Sequence, residues 1–438
     1  MVSHLAETYI ERSKWNTRGW TFQERLLSKR CLIFAEGRVF FQCRATAMSE
    51  DVVSEKKTGG WSIELVRAPL QLLRELDSRA FRVYMTCVQL YTSRSLTRPK
   101  DILAAFNGMS NLLGNAMGSP LLFGLPSSHF DLALLWQPTA SLRRRIPTTP
   151  GEENDFEGNL FPSWSWCGWM GHGPSKTRPP SMSYNSSMMI EGCLSNVHQW
   201  LIEHTWISWY IRDGHGNLRA VWDPRSTRID HNKAEPRWRG YGSSKPSSGG
   251  NANQSDPYGR VLPTRLRNET RACFDRTLAD YPYRVSFAEP VVDGLSTSKD
   301  KVYLQFWTWS AFLKLYPFRQ SAHAALGEGL CRFDITDYTG DWCGTIVLDQ
   351  EFGDKQEPGS EHEFLAISEA KNFSREENDT WTYYIPKERE QSEWDLYYVL
   401  LVEHRGGIAR RVGLGKVFQE AFSNPCLPGL EWKEIILE

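Results

Sequence analysis

The sequence lacks the marks of several common protein classes. It has no run of about 18 apolar residues, so we predict no membrane-spanning helix. The segment Met1–Ile10 does not show the charged-then-apolar pattern of a signal peptide. None of the nine cysteines forms a Cys-x-x-Cys pair, which argues against a zinc ribbon, and their scatter over 438 residues does not indicate a disulfide framework. We therefore expect a cytoplasmic protein.

The chain also lacks a charge excess of either sign. It carries 51 Lys and Arg residues against 52 Asp and Glu residues, a formal net charge of −1. Because there is no global basic field, we predict no nucleic-acid partner. The arginine run Arg143–Arg145 is a local exception, which we expect to be a solvated loop. His198 and His204 have no further ligand at metal-binding spacing, so we predict neither a metal site nor a cofactor.

Tryptophan is abundant, with 18 residues in the chain. Trp164 and Trp166, and likewise Trp307 and Trp309, are two positions apart, which would place both rings of each pair on one face of a strand. Large rings in strands usually pack sheet faces. The alternative is a stacking platform for a ligand base or sugar, and the spacing alone does not separate the two.

Hydrophobic periodicity predicts an α+β protein. The stretch 18–27 has the pattern of a short amphipathic helix, and 31–41 reads as a β-hairpin around Glu36 and Gly37. The segment 61–160 is mainly helical in pattern, and short strand-like runs dominate after it. A stretch rich in Gly, Ser, Pro and Asn at 223–262 predicts a flexible linker.

Four segments carry a family resemblance. The segment 15–34 reads WNTRGWTFQERLLSKRCLIF, and Leu96–Gly108, Phe161–Trp169 (FPSWSWCGW) and 397–417 are the other three. The motif positions are Arg18, Gly19, Trp20, Gln23, Glu24, Leu27, Ser28, Pro162, Ser163, Trp164, Ser165, Trp166, Arg411, Gly413 and Gly415. With these residues, the chain resembles fungal heterokaryon-incompatibility (HET) domain proteins.

The resemblance implies where the parts of the chain belong. In the family a longer segment, with a Ser-Tyr-x-Trp-Gly strand, precedes the Arg-Gly-Trp block, so we expect a HET domain that lacks its N-terminal part. The expected organisation is a TIR-like α/β remnant at 1–60, a helical region at 61–160, the first part of a β-rich region at 161–222, the linker at 223–262 and the rest of the β-rich region at 263–438. The implied role is fungal nonself recognition leading to programmed cell death. It would be exercised through protein partners or self-association, without catalysis in this form.

Two other functions remain open. HET domains resemble TIR domains remotely, and some TIR domains cleave NAD with a helix-borne Glu four positions after a Trp. By this resemblance Glu24 would be catalytic, Trp20 would share its helix face, and NAD would be a substrate rather than a cofactor. Structural alternatives are that Glu24 pairs with Arg18 or Arg25 while Trp20 packs in the core, or that Glu24 is simply solvated. The third function is a β-rich C-terminal module that binds a ligand or partner through its aromatic faces.

Overall fold

The described part of the chain begins with short helices and a small sheet, and it ends in a large antiparallel sheet. The computed structural model describes residues 6–43, 47–50, 69–147, 161–171, 179–184, 197–213, 218–222, 302–318, 327–371 and 395–438. Within these residues, no helix is long and apolar enough to cross a membrane. The expected α+β composition is confirmed. The predicted linker at 223–262 lies outside the described residues.

The helices and strands are numbered here in chain order. The α-helices are α1 (Ala6–Arg12), α2 (Trp20–Leu27), α3 (Leu76–Thr92), α4 (Asn107–Met117), α5 (Phe130–Ala133), α6 (Val197–His204) and α7 (Gln350–Gly353). The 3-10 helices are Pro69–Glu75, Pro99–Ile102, Ala104–Phe106, Ser127–His129, Trp166–Gly168 and Gln419–Ser423. The strands up to residue 220 are β1 (Arg30–Ala35), β2 (Arg38–Cys43), β3 (Ala47–Ser49), β4 (Leu121–Leu122), β5 (Leu125–Pro126), β6 (Trp136–Pro138), β7 (Leu142–Arg144), β8 (Trp169–Gly171), β9 (Met182–Tyr184), β10 (Tyr210–Asp213) and β11 (Leu218–Ala220). The remaining strands are β12 (Val302–Pro317), β13 (Leu330–Thr336), β14 (Trp342–Asp349), β15 (Ser360–Ala370), β16 (Leu396–Arg405), β17 (Ile408–Phe418) and β18 (Cys426–Leu437).

The predicted helix and hairpin near the start of the chain are confirmed. Helix α2 buries Phe22 and Leu26, and the Phe22 ring packs 5.4 Å from that of Tyr91 on α3. The hairpin β1–β2 turns at Glu36 and Gly37, with φ angles of 52° and 74°. Positive φ at both turn residues matches the right-handed twist of the strands that they connect.

The segment after Arg98 does not form one continuous α-helix. Two 3-10 turns precede α4, which begins only at Asn107. The Ile102 carbonyl accepts a hydrogen bond from the Tyr91 hydroxyl at 2.5 Å. In an α-helix this carbonyl would accept the Phe106 N–H, which donates to the Leu103 carbonyl at 3.2 Å instead. A tertiary contact therefore replaces the first α-helical hydrogen bond of this segment. The local hydrophobic pattern does not indicate such a contact.

Six strands of the large sheet close on themselves. The order runs β12–β13–β14–β17–β16–β15, and β15 pairs again with β12. Strand β12 has 16 residues, long enough for its first half to pair with β10 and β18 and its second half with β13 and β15. Closure satisfies backbone groups that would otherwise lie along open edges. One buried apolar cluster extends from Phe22 on α2 through the helices to Leu437 on β18.

One tryptophan pair is on a strand and the other is not. Trp307 and Trp309 lie on β12 as predicted, with the Trp309 ring 5.3 Å from that of Trp432. The strand predicted at 161–169 is wrong, because the Ser165 hydroxyl caps a 3-10 helix by accepting from the Cys167 N–H. Trp164 and Trp166 are both fully buried, but Trp164 packs against Phe123 and Phe130, and Trp166 packs against Tyr91 and Phe106.

Candidate functional site

The first two motif segments pack against each other through glycine. The Gly19 N–H donates to the Ser95 carbonyl at 2.8 Å, and the Ser95 N–H donates to the Thr17 carbonyl at 2.7 Å. A Cβ atom on Gly19 would lie 2.5 Å from Cδ2 of Leu96. The absence of a side chain therefore lets the entry to α2 approach the 95–96 segment closely.

A second contact between these segments joins Gln23 to α4. The Gln23 Oε1 accepts the Gly108 N–H at 2.9 Å, and a Cβ on Gly108 would lie 2.5 Å from Cδ1 of Leu27. The backbone N–H of Ser28 bonds to the Glu24 carbonyl at the end of α2. The motif positions Gly19, Gln23 and Leu27 therefore serve the docking of α2.

Trp20 and Glu24 lie one turn apart on the other side of α2, facing solvent. Trp20 is 38% exposed and Glu24 is exposed. Within the described residues, the Glu24 carboxylate makes no hydrogen bond or ion pair. Arg25 points inward instead, with its Nη2 2.8 Å from the Gln42 Oε1. The alternative in which Glu24 pairs with Arg18 or Arg25 beside a core-packed Trp20 is therefore wrong, and the carboxylate at this position is solvated.

The third and fourth motif segments meet at Ser163. The Ser163 N–H donates to the Glu438 carbonyl at 2.9 Å, and its hydroxyl oxygen accepts the Arg411 N–H at 3.1 Å. One serine thus connects the 161–169 segment to both β17 and β18.

Arg411 secures the same junction from β17. Its buried guanidinium donates to the carbonyl oxygens of Leu134 and Trp136 and lies 3.9 Å from the centroid of the Trp136 ring. Burial lowers the pKa of Arg411 to about 9. No described carboxylate pairs with this guanidinium, so carbonyl dipoles and the indole face stabilise its charge.

The two motif glycines of β17 are packing positions. A Cβ on Gly413 would lie 2.4 Å from Cδ2 of Leu348, and one on Gly415 would lie 3.0 Å from the Thr345 carbonyl oxygen. Larger residues would push β17 away from β14. We therefore assign Gly413 and Gly415 to the closure of the sheet rather than to a ligand.

A pocket of about 210 Å³ opens beside this junction. Its lining consists of Arg144, Ser163, Trp169, Asp349, Phe352, Glu403, Arg410, Arg411 and Val412. The guanidinium of Arg144 lies 5.1 Å from the centroid of the Trp169 ring, and the Nη2 of Arg410 lies 3.1 Å from Oε2 of Glu438. The pocket therefore combines an indole wall and guanidinium groups with the carboxylates of Asp349 and Glu403, a lining suited to planar ligands that carry charge.

Of the arginine run, only Arg143 is exposed as predicted, and it lies on strand β7 rather than in a loop. Arg144 belongs to β7 and donates to the Phe161 carbonyl at 2.5 Å, while the buried Arg145 donates to the carbonyls of Cys167 and Trp169. Burial lowers the pKa of Arg144 to about 10. The prediction failed because these arginines satisfy backbone carbonyls of the 161–169 segment, which a charge pattern does not indicate.

A carboxylate with three polar side-chain partners lies elsewhere, on β15. Oxygens of the buried Glu363 lie 2.7 Å from Nε2 of His404, 2.5 Å from Nζ of Lys433 and 2.6 Å from Oγ of Ser310. Burial alone would raise the pKa of Glu363, but hydrogen bonds from His404, Lys433 and Ser310 outweigh it and lower the pKa to about 2. Such a carboxylate stays ionised, so it suits a structural ion cluster better than proton transfer.

No metal-binding cluster is found in the described residues. Nδ1 of His204, a residue considered above for metal binding, lies 2.6 Å from Oε2 of Glu369. The side chain of His198 is outside the described set.

No family model, no curated protein and no solved structure matches the chain. The HET resemblance therefore rests on the motif residues themselves.

Proposed function

We propose that this chain is a HET-family protein of fungal nonself recognition that promotes programmed cell death through protein contacts, without hydrolysing NAD. The observation that carries the proposal is the division of helix α2. Its inner face packs on the second motif segment through Gly19 and Gln23, and its outer face presents Trp20 and Glu24 to solvent.

The solvation of Glu24 argues against catalysis. A carboxylate 4 Å from a developing positive charge contributes about 1 kcal/mol in bulk water and about 4 kcal/mol at the lower effective dielectric of a protein site. A glycohydrolase needs its carboxylate in a site of lower effective dielectric, because the carboxylate stabilises an oxocarbenium-like transition state. Glu24 is exposed and does not line the pocket beside Arg411.

The outer face of α2 has the composition of a contact surface instead. An exposed indole supplies a large apolar area at little cost in conformational entropy, and tryptophan is enriched among residues that dominate binding energy. Trp20 does not belong to the buried apolar cluster, so its truncation removes this anchor while every residue of that cluster is kept.

The test is inducible expression of the full chain in hyphae of a filamentous fungus, with cell death scored by a vital dye. We expect wild type to kill and Trp20→Ala to kill severalfold less. Tyr338→Ala is the matched control, because Tyr338 is an aromatic residue 56% exposed at a different surface. Survival of cells that express the wild-type chain, or full lethality of Trp20→Ala, would overturn the proposal.

The pocket beside Arg411 favours a second candidate, a β module that binds a small planar anion. Arg144 and Trp169 would bind the charged group and the ring of such a ligand. Calorimetric titration with benzoate as the probe tests this. Binding that Arg144→Gln weakens and the exposed control Lys355→Gln does not would support the module, and an absence of benzoate binding would reject it.

A further inference from the structure

The small N-terminal sheet carries an uncovered apolar face. On β1, Leu32 and Phe34 are 60% and 72% exposed, and they alternate with the buried Ile33 and Ala35. Leu32 pairs with Phe41 on β2, which in turn pairs with Met48 on β3, and Met48 is 57% exposed. The exposed apolar side chains are therefore continuous across all three strands.

Strand β1 also has a free hydrogen-bonding edge within the described residues, where it pairs with β2 only. The hydrogen bonds of Val39 identify which groups face that edge. The Val39 carbonyl accepts from the Glu50 N–H and its own N–H donates to Oε1 of Glu50, both at 3.1 Å, so these groups point away from β1. Opposite residues of an antiparallel pair either exchange both hydrogen bonds or none. The backbone groups of Phe34, which is opposite Val39, therefore point to the free edge, and those of Leu32 and Arg30 do so by alternation.

We propose that β1 pairs antiparallel with β1 of a second copy of this chain, about a twofold axis at Ile33. Leu32 then lies opposite Phe34 of the second copy, and Arg30 lies opposite its Glu36. The two small sheets become one continuous sheet whose apolar residues share one face. The second copy is the occupant that a self-complementary strand fits, because a twofold interface must present the same patch on both sides.

The register follows from the positions of the backbone groups and the charges. Backbone hydrogen bonds between the copies form only where Arg30, Leu32 or Phe34 lies opposite another of these three residues, because their backbone groups face the free edge. A twofold at Leu32 would place Arg30 opposite Phe34, and a twofold at Phe34 would place Leu32 opposite Glu36. The twofold at Ile33 pairs apolar with apolar and forms the Arg30–Glu36 pair twice, so cross-strand pairing favours it.

The charge pair can exist only between copies. Arg30 begins β1 and Glu36 directly follows its last residue, so the two are roughly 20 Å apart along the extended chain. A charge reversal at either residue therefore breaks no Arg30–Glu36 ion pair within a single chain. The inference does not depend on the proposed function, because self-association is measured without reference to cell death.

Sedimentation of the full chain over a concentration series tests the proposal. We expect a monomer–dimer equilibrium for wild type, and a dissociation constant raised at least about tenfold by Arg30→Glu. The double variant Arg30→Glu with Glu36→Lys should restore dimerisation, because it exchanges the two charges of each pair. Phe34→Lys should abolish the dimer, while Tyr338→Lys, at an exposed aromatic residue elsewhere, should leave it intact.

Thermal unfolding of each variant verifies that it remains folded. A chain that stays monomeric up to about 100 µM would overturn the proposal. A dimer that is insensitive to Phe34→Lys, or one that Arg30→Glu weakens and the double variant does not restore, would overturn it as well.

Discussion

The Ser163 hydroxyl accepts the backbone N–H of Arg411 in the buried interior, although 248 positions separate the two residues. This hydrogen bond joins two segments that were singled out by their motifs. The same serine contacts Glu438, so three distant parts of the chain meet at one side chain. The motif residues of these segments thus have a physical role in assembling the fold.

Replacing Ser163 by alanine should destabilise the protein measurably. The Arg411 N–H would remain buried without its acceptor, which costs about 1–3 kcal/mol. Chemical denaturation with a linear fit gives the free energy of unfolding. Ser78→Ala, at an exposed serine, should change it by less than about 0.5 kcal/mol. Equal effects of the two substitutions would contradict the assigned role of Ser163.

Gly124 should be less tolerant of a side chain than a glycine with the same backbone conformation. Gly124 has a φ of +84°, and a Cβ there would lie 2.4 Å from Cζ2 of the Trp166 ring. Gly340 has a φ of +89° with nothing within 4 Å of a Cβ, so Gly340→Ala carries the backbone strain alone. We expect Gly124→Ala to cost about 1–3 kcal/mol more than Gly340→Ala, from overpacking against Trp166. Similar melting temperatures for the two variants would show that the Trp166 ring moves aside without a measurable loss of stability.

The Glu363 cluster should make the protein sensitive to acid. The pKa of Glu363 is lowered from 4.5 to about 2 in the folded chain, so the folded state favours the ionised carboxylate. Its contribution is complete above pH 4.5 and is lost as the pH falls from 4.5 towards 2, about 3 kcal/mol in all. The free energy of unfolding measured between these pH values should fall less steeply for Glu363→Gln. An identical pH profile for this variant would exclude Glu363 as the source.

Local patterns predicted the elements that depend on local interactions. The helix at Trp20–Leu27, the hairpin at Glu36 and Gly37, and the strand that holds Trp307 and Trp309 all followed from periodicity and turn residues. A spacing of two residues failed at Trp164 and Trp166, because it is equally compatible with a capped 3-10 turn whose two rings point to different neighbours.

The candidate pocket depends on contacts that local patterns do not contain. Arg411 and Ser163 were noted as motif residues, but their meeting requires β17 to pack beside the 161–169 segment. The return of β15 to β12, which closes the sheet, is likewise a pairing between residues far apart in the chain. The burial of Arg144 and Arg145 follows from that assembly, so their charge pattern predicted the wrong environment.

Nicotinamide release by the purified full chain incubated with NAD shows whether the outer face of α2 serves contact or catalysis. Glu24→Gln and the exposed control Glu420→Gln are assayed beside the wild type. We predict no release above the buffer blank for any of the three proteins. Release by wild type and by Glu420→Gln that is abolished in Glu24→Gln would instead make Glu24 a catalytic residue and α2 part of an active site.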